Sequence, residues 1–313
     1  MIKQPTIKAT IRIMKEYIKN NSWIIPSSII VVTVIYYFFI HETYSVLNHR
    51  AGEVFWWMKN SWNTRNNLEH GYIVPVAFVM FIISAMKHAK DEESSTGRVG
   101  IILFWVGVLL YLISARTIQP RVAIIALPFL ISGGIIHVLG WKKGKHFLFA
   151  SFFWYFAMPV PGLQQLTNGL QVIITKWCYH AGLFCGMELS LSGNNIKSAV
   201  DAWPGFDIAE GCSGIKSLMA LVMISAIYAY YTQKEFWKKV LLFSMALPLA
   251  LIGNFFRIFT ILIIAEMGFV EFANTTYHDW AGLLIFFPVA LLGLFLVDKL
   301  LNRKKLRLKR TIK

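Results

Sequence analysis

The chain has 313 residues, 56% of them hydrophobic and 15% aromatic, with a mean hydropathy of +0.55. That composition excludes an ordinary soluble domain, which needs a larger charged share than the 15% present here, and indicates a polytopic membrane protein. The formal net charge of +15 calls for no nucleic-acid partner, because the basic residues fall beside apolar runs, where short cytoplasmic loops collect them.

In chain order, a polar, basic segment (1–22) precedes eight apolar runs long enough to cross about 30 Å of hydrocarbon. They are 23–40, 71–86, 99–114, 122–139, 146–160, 215–231, 240–266 and 280–298. The first lacks a small-residue cleavage site and reads as a retained helix, not a signal peptide. With residues 1–22 inside, the segments 1–22, 87–98, 141–145, 232–239 and 299–313 hold 22 of the 31 Lys and Arg residues. The outer loops 41–70, 115–121, 161–214 and 267–279 hold seven. This bias predicts eight crossings of the cytoplasmic (inner) membrane, with both termini cytoplasmic. The expected fold is an all-α polytopic membrane protein, one integral domain over 1–313 without internal repeats. Its basic tail (299–313, "KLLNRKKLRLKR") acts as a stop-transfer signal and a contact for anionic membrane lipids.

His70, at the outer end of the second run, either lines an outer cavity or caps the interface. The segment 166–186, "LTNGLQVIITKWCYHAGLFCG", carries Gln171, Lys176 and His180. A full crossing there would move the basic tail outside, so it reads as an amphipathic or re-entrant helix of the long extracytoplasmic loop 161–214. Lys176 and His180 share a face and read as solvated. Cys178, Cys185 and Cys212 all fall outside, where disulfides are permitted, although the first two stand two helical turns apart, too far for an intrahelical bond. No CxxC, His cluster or HExxH occurs, so no metal and no cofactor are expected.

Trp203 and Pro204 shape the loop that leads to "DIAEGCSGIKSL" (207–218). Gly211, Ser213 and Gly214 surround Cys212 with small groups, as a sharp turn into a helix requires. The amides and dipole of a helix starting here would favour the thiolate, the nucleophilic form. Lys216, four residues on, adds positive charge; Glu210 opposes ionisation unless it pairs with a cation or orients a base, and Glu210 and Asp207 are the nearest acidic groups that could orient His278. A lone cysteine in so apolar a chain is otherwise a small core residue.

Arg257, in "IGNFFRIFTILI", lies inside the seventh run, where a guanidinium is costly unless it faces a polar cavity or a structural ion pair; Asn254 shares its face. His278, in "NTTYHDWAGLLIFF", precedes the eighth run and by itself fits an interfacial belt with Tyr277 and Trp280. Together, thiol, guanidinium and imidazole occupy one depth, and that set suggests acyl transfer. Cys212 would attack a peptide carbonyl to give a thioester, His278 would serve as general acid and base, and Arg257 would stabilise the oxyanion or hold the substrate backbone.

"EGCSGIKSL", then "NFFR" about forty residues later, then "YHDWAG" about twenty after that, resembles the exosortase/archaeosortase family of membrane-embedded cysteine transpeptidases. The family pattern C-S-G-[IL]-x-S is met by Cys212, Ser213, Gly214, Ile215 and Ser217, N-x-x-R by Asn254 and Arg257, and the histidine by His278. "EHGYIVPV" (69–76) and "MPVPGLQQL" (158–166) also resemble family features, so that the likeness covers about 69–290. The resemblance implies a thiol protease and transpeptidase of protein sorting. Its substrates would be exported proteins with a C-terminal sorting signal: a short motif, a transmembrane helix and a basic tail. The new C-terminus would pass to water, a lipid amine or a glycan, and a lateral opening between runs six, seven and eight would admit the tail. Three other readings stand beside it: an intramembrane serine protease using Ser213, a transporter or lipid-linked glycan handler using Arg116, Arg121 and Arg257 on anionic groups, and a purely structural polar cluster.

Overall fold

In hydrocarbon every backbone polar group must be satisfied within the chain, so apolar runs coil into helices. The computed structural model describes residues 28, 31–32, 34–41, 44–46, 50–93, 98–203, 205–207 and 215–311. They fall into two units, Met1–Pro159 and Val160–Lys313.

In the first unit a π-helical turn, Tyr36–Ile40, ends the first apolar run. The hairpin of β1 (Tyr44–Val46) and β2 (Arg50–Gly52) follows, in the register Tyr44↔Gly52. The short helix α1 (Val54–Asn60) and a 3-10 turn, Glu69–Ile73, lead into α2 (Val74–Ala89). Pro75 fits there because the first turn of a helix has no use for its missing N–H.

Next, α3 (Arg98–Thr117) and α4 (Pro120–Gly144) pack along a glycine seam. A Cβ at Gly100 would overlap the His137 backbone, one at Gly133 the Phe104 backbone, and one at Gly107 would lie 2.9 Å from the Leu130 nitrogen. Lipid tails are as apolar as leucine, so close approach and dispersion, not the hydrophobic effect, hold such a pair.

Gly140, at φ 79, then turns the chain back on itself. Eight residues of straight helix span about 12 Å, yet a Cβ on Gly144 would lie 2.9 Å from the Ile136 Cα. The returning strand of helix includes α5 (Leu148–Phe152), and the Tyr155 hydroxyl donates to the Ile125 carbonyl at 3.1 Å. At the turn, Lys145 Nζ and His146 Nε2 stand 3.3 and 3.1 Å from Glu92 Oε1, just beyond α2. The His146 hydrogen bond, with the Lys145 ammonium behind it, holds the Glu92 carboxyl below its ordinary value.

The second unit begins with α6 (Leu163–Phe184). Ile174, Cys178 and Gly182 recur every fourth residue on its buried face, where the Cys178 thiol donates to the Phe255 carbonyl at 3.7 Å. Lys176, Trp177 and His180 are exposed. An antiparallel sheet follows, in which β3 (Leu189–Ser192) pairs with β4 (Asn195–Ser198) at Leu191↔Ile196. The two-residue β5 (Phe206–Asp207) pairs with the other side of β4 at Ile196↔Phe206.

Then come α7 (Ile215–Thr232), α8 (Phe236–Ser244) and α9 (Ala246–Glu266). From Val270 the chain is helical again, with π turns at Ala273–Tyr277 and Gly282–Phe286 on either side of His278–Ala281, before α10 (Phe287–Thr311). One apolar cluster joins α6, the sheet, the second half of α9 and the His278 region through Ile174, Ile196, Ile258, Leu262, Ala273 and Ala281. Another joins α7, α8, the first half of α9 and α10 through Leu221, Leu242, Ala250, Phe286 and Leu294. Between the two, α9 carries Gly253, Asn254 and Arg257.

The architecture is the helical, multi-pass one expected. By length and apolarity five runs among the described residues can cross a membrane: Glu69–Ala89, Arg98–Thr117, Pro120–Ala157, Phe236–Glu266 and Gly282–Asn302. Pro120–Ala157 contains the expected run 122–139 and 146–157 of the next, as two antiparallel passes about Gly140. The run 215–231 is met by a helix on the short side, Ser217–Thr232, and 23–40 is described only at 28, 31–32 and 34–40. Residues 236–239, expected in an inner loop, instead open α8. Their lysines can join a helix because Lys238 pairs with Glu235 at 2.9 Å and Lys239 lies 4.6 Å over the Tyr230 ring.

Candidate active site

Asn254 and Arg257 sit three apart on α9 and are buried, at 4% and 8% exposure. Such polarity is tolerated in a helix of hydrocarbon only when it has a purpose or a partner. Arg257 Nη2 donates to the His278 carbonyl oxygen at 3.2 Å, which ties α9 to the turn between the two π segments. Arg257 Nε and Asn254 Oδ1 are buried and meet no hydrogen-bond partner among the described residues. A donor and an acceptor are thus left open on neighbouring turns of one face. Buried groups in that state are rare enough to need an explanation.

The two π turns decide how His278 is presented. Each adds one residue to the helical repeat, which rotates everything after it by about 100° relative to a regular helix, and such bulges concentrate at functional sites. Gly253 lets α9 approach the second π turn closely: a Cβ there would stand 3.0 Å from the Phe286 carbonyl oxygen. At the start of that turn, a Cβ on Gly282 would lie 3.9 Å from Arg257 Cζ and 4.0 Å from Ser217 Oγ. Ser217 comes from the first turn of α7 and is half-buried, as is the His278 imidazole. Ser217, Asn254 with Arg257, and His278 with Gly282 therefore meet from three separate stretches, the three that the sequence places at one depth.

Cys212, Ser213, Gly214 and Glu210 lie outside the described residues. Their neighbours are anchored. α7 starts at Ile215, three residues beyond Cys212, and the Lys216 backbone is in its first turn, its side chain again outside the described set. On the other side, Asp207 is held in β5 opposite Asn195. The buried Trp203 donates from Nε1 to Glu266 Oε2 at 2.8 Å, at the end of α9. His70 belongs to the first unit, in the 3-10 turn before α2; it is half-buried, and its Nε2 meets no partner among the described residues. The glycine after it is explained by packing, since a Cβ on Gly71 would overlap the Trp62 ring. Of the other two arginines read as possible anion ligands, Arg116 is exposed and Arg121 lies 5.6 Å over the Trp57 ring.

Sequence reasoning missed Gly282, the π turns and the Trp203–Glu266 bond. A glycine inside an apolar run carries no pattern, and an inserted residue in a helix leaves the run apolar. The interleaved aromatic Trp203 was visible, but its distant carboxylate was not.

No curated protein and no solved structure matches the chain. A family model described as transmembrane exosortase matches residues 62–296, three quarters of the chain. The matched stretch takes in all three motifs and every helix that carries the polar seam, and the chain belongs to the transmembrane exosortase family.

Proposed function

We propose that the protein is a cysteine transpeptidase that cuts the C-terminal sorting signal of exported proteins and passes the new C-terminus to an acceptor. Family membership supports a membrane protein-sorting transpeptidase in general. The observation that carries the finer reading is the open donor and acceptor of Arg257 and Asn254 beside Ser217 and Gly282. A peptide group offers one C=O and one N–H, and this pair is complementary to it.

In the proposed reaction Cys212 gives its proton to His278 and the thiolate attacks the scissile carbonyl carbon. Arg257 stabilises the negative charge that develops on the carbonyl oxygen, in a setting too dry to screen it. His278 then protonates the leaving amine as the C–N bond breaks, leaving a thioester on Cys212. An acceptor, whether water, a lipid amine or a glycan, loses a proton to His278 as it attacks the thioester, and the thiolate is regenerated. Asn254 and Ser217 position the substrate backbone, Lys216 favours the thiolate, and Ser213 and Gly214 keep the turn small. Glu210 and His70 are the further supporting groups of the proposed reaction. The site works on the extracytoplasmic side, and the substrate's membrane helix enters between α7, α9 and α10.

The test takes a protein of the same cells that ends in a short motif, one hydrophobic span and a basic tail, and reads its mature C-terminus by mass spectrometry. Cys212→Ala should leave the tail uncut, Ser213→Ala should still process it, and Arg257→Lys should slow processing by about a hundredfold, the usual loss for an oxyanion donor. Processing that survives Cys212→Ala but not Ser213→Ala would make the enzyme a serine protease. Processing unaffected by either would return the site to a transport or structural role.

A further inference from the structure

The first unit contains a cavity of about 170 Å³ that the polar seam does not use. Its lining is apolar and comes from five stretches, through Phe38, Met58, Phe78, Ile124, Ile131 and Trp154 among others. An apolar cavity of about 150 Å³ stays dry and takes hydrocarbon guests, so water is not the occupant here.

Beside this lining, along α1 and α4, stands the opposite chemistry. Arg121 is the second residue of α4, one turn before Ile124, and its guanidinium lies 5.6 Å over the ring of Trp57, the neighbour of Met58 on α1. Its Nε is buried and meets no partner among the described residues. The Gln119 side chain makes no capping bond to α4, so the positive end of that helix adds to the arginine. The turn that sets it there is strained: Ile118, β-branched, stands at φ 54.

We propose that the first unit binds one anionic phospholipid, with an acyl chain in this cavity and the phosphate on Arg121 and the first turn of α4. An apolar slot fits part of an acyl chain, and a guanidinium one turn before Ile124, its Nε without a hydrogen-bond partner among the described residues, fits the headgroup. A free anion would leave the slot empty, and in a zwitterionic lipid the headgroup's own cation would offset the phosphate that faces Arg121.

The full-length chain, purified in a neutral detergent, would be offered phosphatidylglycerol or phosphatidylcholine of equal chain length and read by native mass spectrometry and thermal melting. The wild type should retain phosphatidylglycerol and melt higher with it. Arg121→Gln should weaken that retention by about tenfold, the loss of one charge-assisted contact, at an unchanged circular dichroism spectrum. Ile131→Phe, which fills the slot, should release the lipid. If that variant does not fold, phosphatidylglycerol with a diazirine in its acyl chain should label residues 34–39, 54–58 or 124–131 of the wild type. Equal retention of both lipids, a preference that survives Arg121→Gln, or labels confined elsewhere, the basic tail included, would overturn the proposal.

Discussion

Gly282 is a glycine that neither backbone nor packing demands. Its φ of −60° is ordinary right-handed helix, and an added Cβ would meet nothing nearer than 3.9 Å among the described residues. Alanine there would raise helix propensity by about 1 kcal/mol. What glycine preserves is a methyl-sized space beside the Arg257 guanidinium and Ser217 Oγ. Gly282→Ala should therefore fold and melt at or above the wild-type temperature while processing its substrate about tenfold more slowly, a loss that crowding at a reacting centre readily produces. Gly282→Leu should be inactive. Paired melting and processing assays check this, and a parallel fall in both for the alanine variant would assign the glycine to packing instead. Arg257 could be read as functional from the sequence because a charge inside an apolar run stands out; Gly282 could not, because one more small residue in such a run does not.

Helix α4 owes its place to α3 through backbone approach, with Gly100, Gly107 and Gly133 at the contact. Gly133→Leu cannot be accommodated by a rotamer change, because the atoms it meets belong to the Phe104 backbone. The pair must separate, at a cost of about 3 kcal/mol or more as the overpacking and the lost contacts combine. The expected outcome is a lower melting temperature and poor recovery from detergent, measured against Gly169→Leu, where a Cβ meets nothing within 4 Å. At this scale the sequence was a good guide to the existence of helices and a poor one to their interruptions. Lys142, Lys143 and Lys145 mark the reversal between 122–139 and 146–160, which Gly140 carries out. The π turns around His278 have no such marker, since hydropathy averages over the one residue they add.

For the whole chain, stability in acid should depend on Glu92. Its carboxyl is held below the ordinary value of 4.5 by the His146 hydrogen bond and by Lys145. A group with a depressed folded value binds protons less readily folded than unfolded, so its stabilisation is complete above that ordinary value and is lost as pH falls through the lower, folded one. Melting temperature should drop, as pH falls below the ordinary carboxyl value of 4.5, more steeply in the wild type than in Glu92→Gln, which has no proton to take up there. Equal slopes would mean that the contact between α2 and the turn at Lys145 contributes nothing. The sequence by itself determined the membrane class, the clustering of basic residues beside apolar runs and the three motifs, because apolarity, charge and spacing are properties of the chain in one dimension. The meeting of Ser217, Asn254, Arg257, Gly282 and the His278 backbone was decided only in three dimensions. It depends on the rotation of each helix about its axis, and here one residue inserted at a π turn, or one glycine allowing a closer approach, changes which side chains face each other.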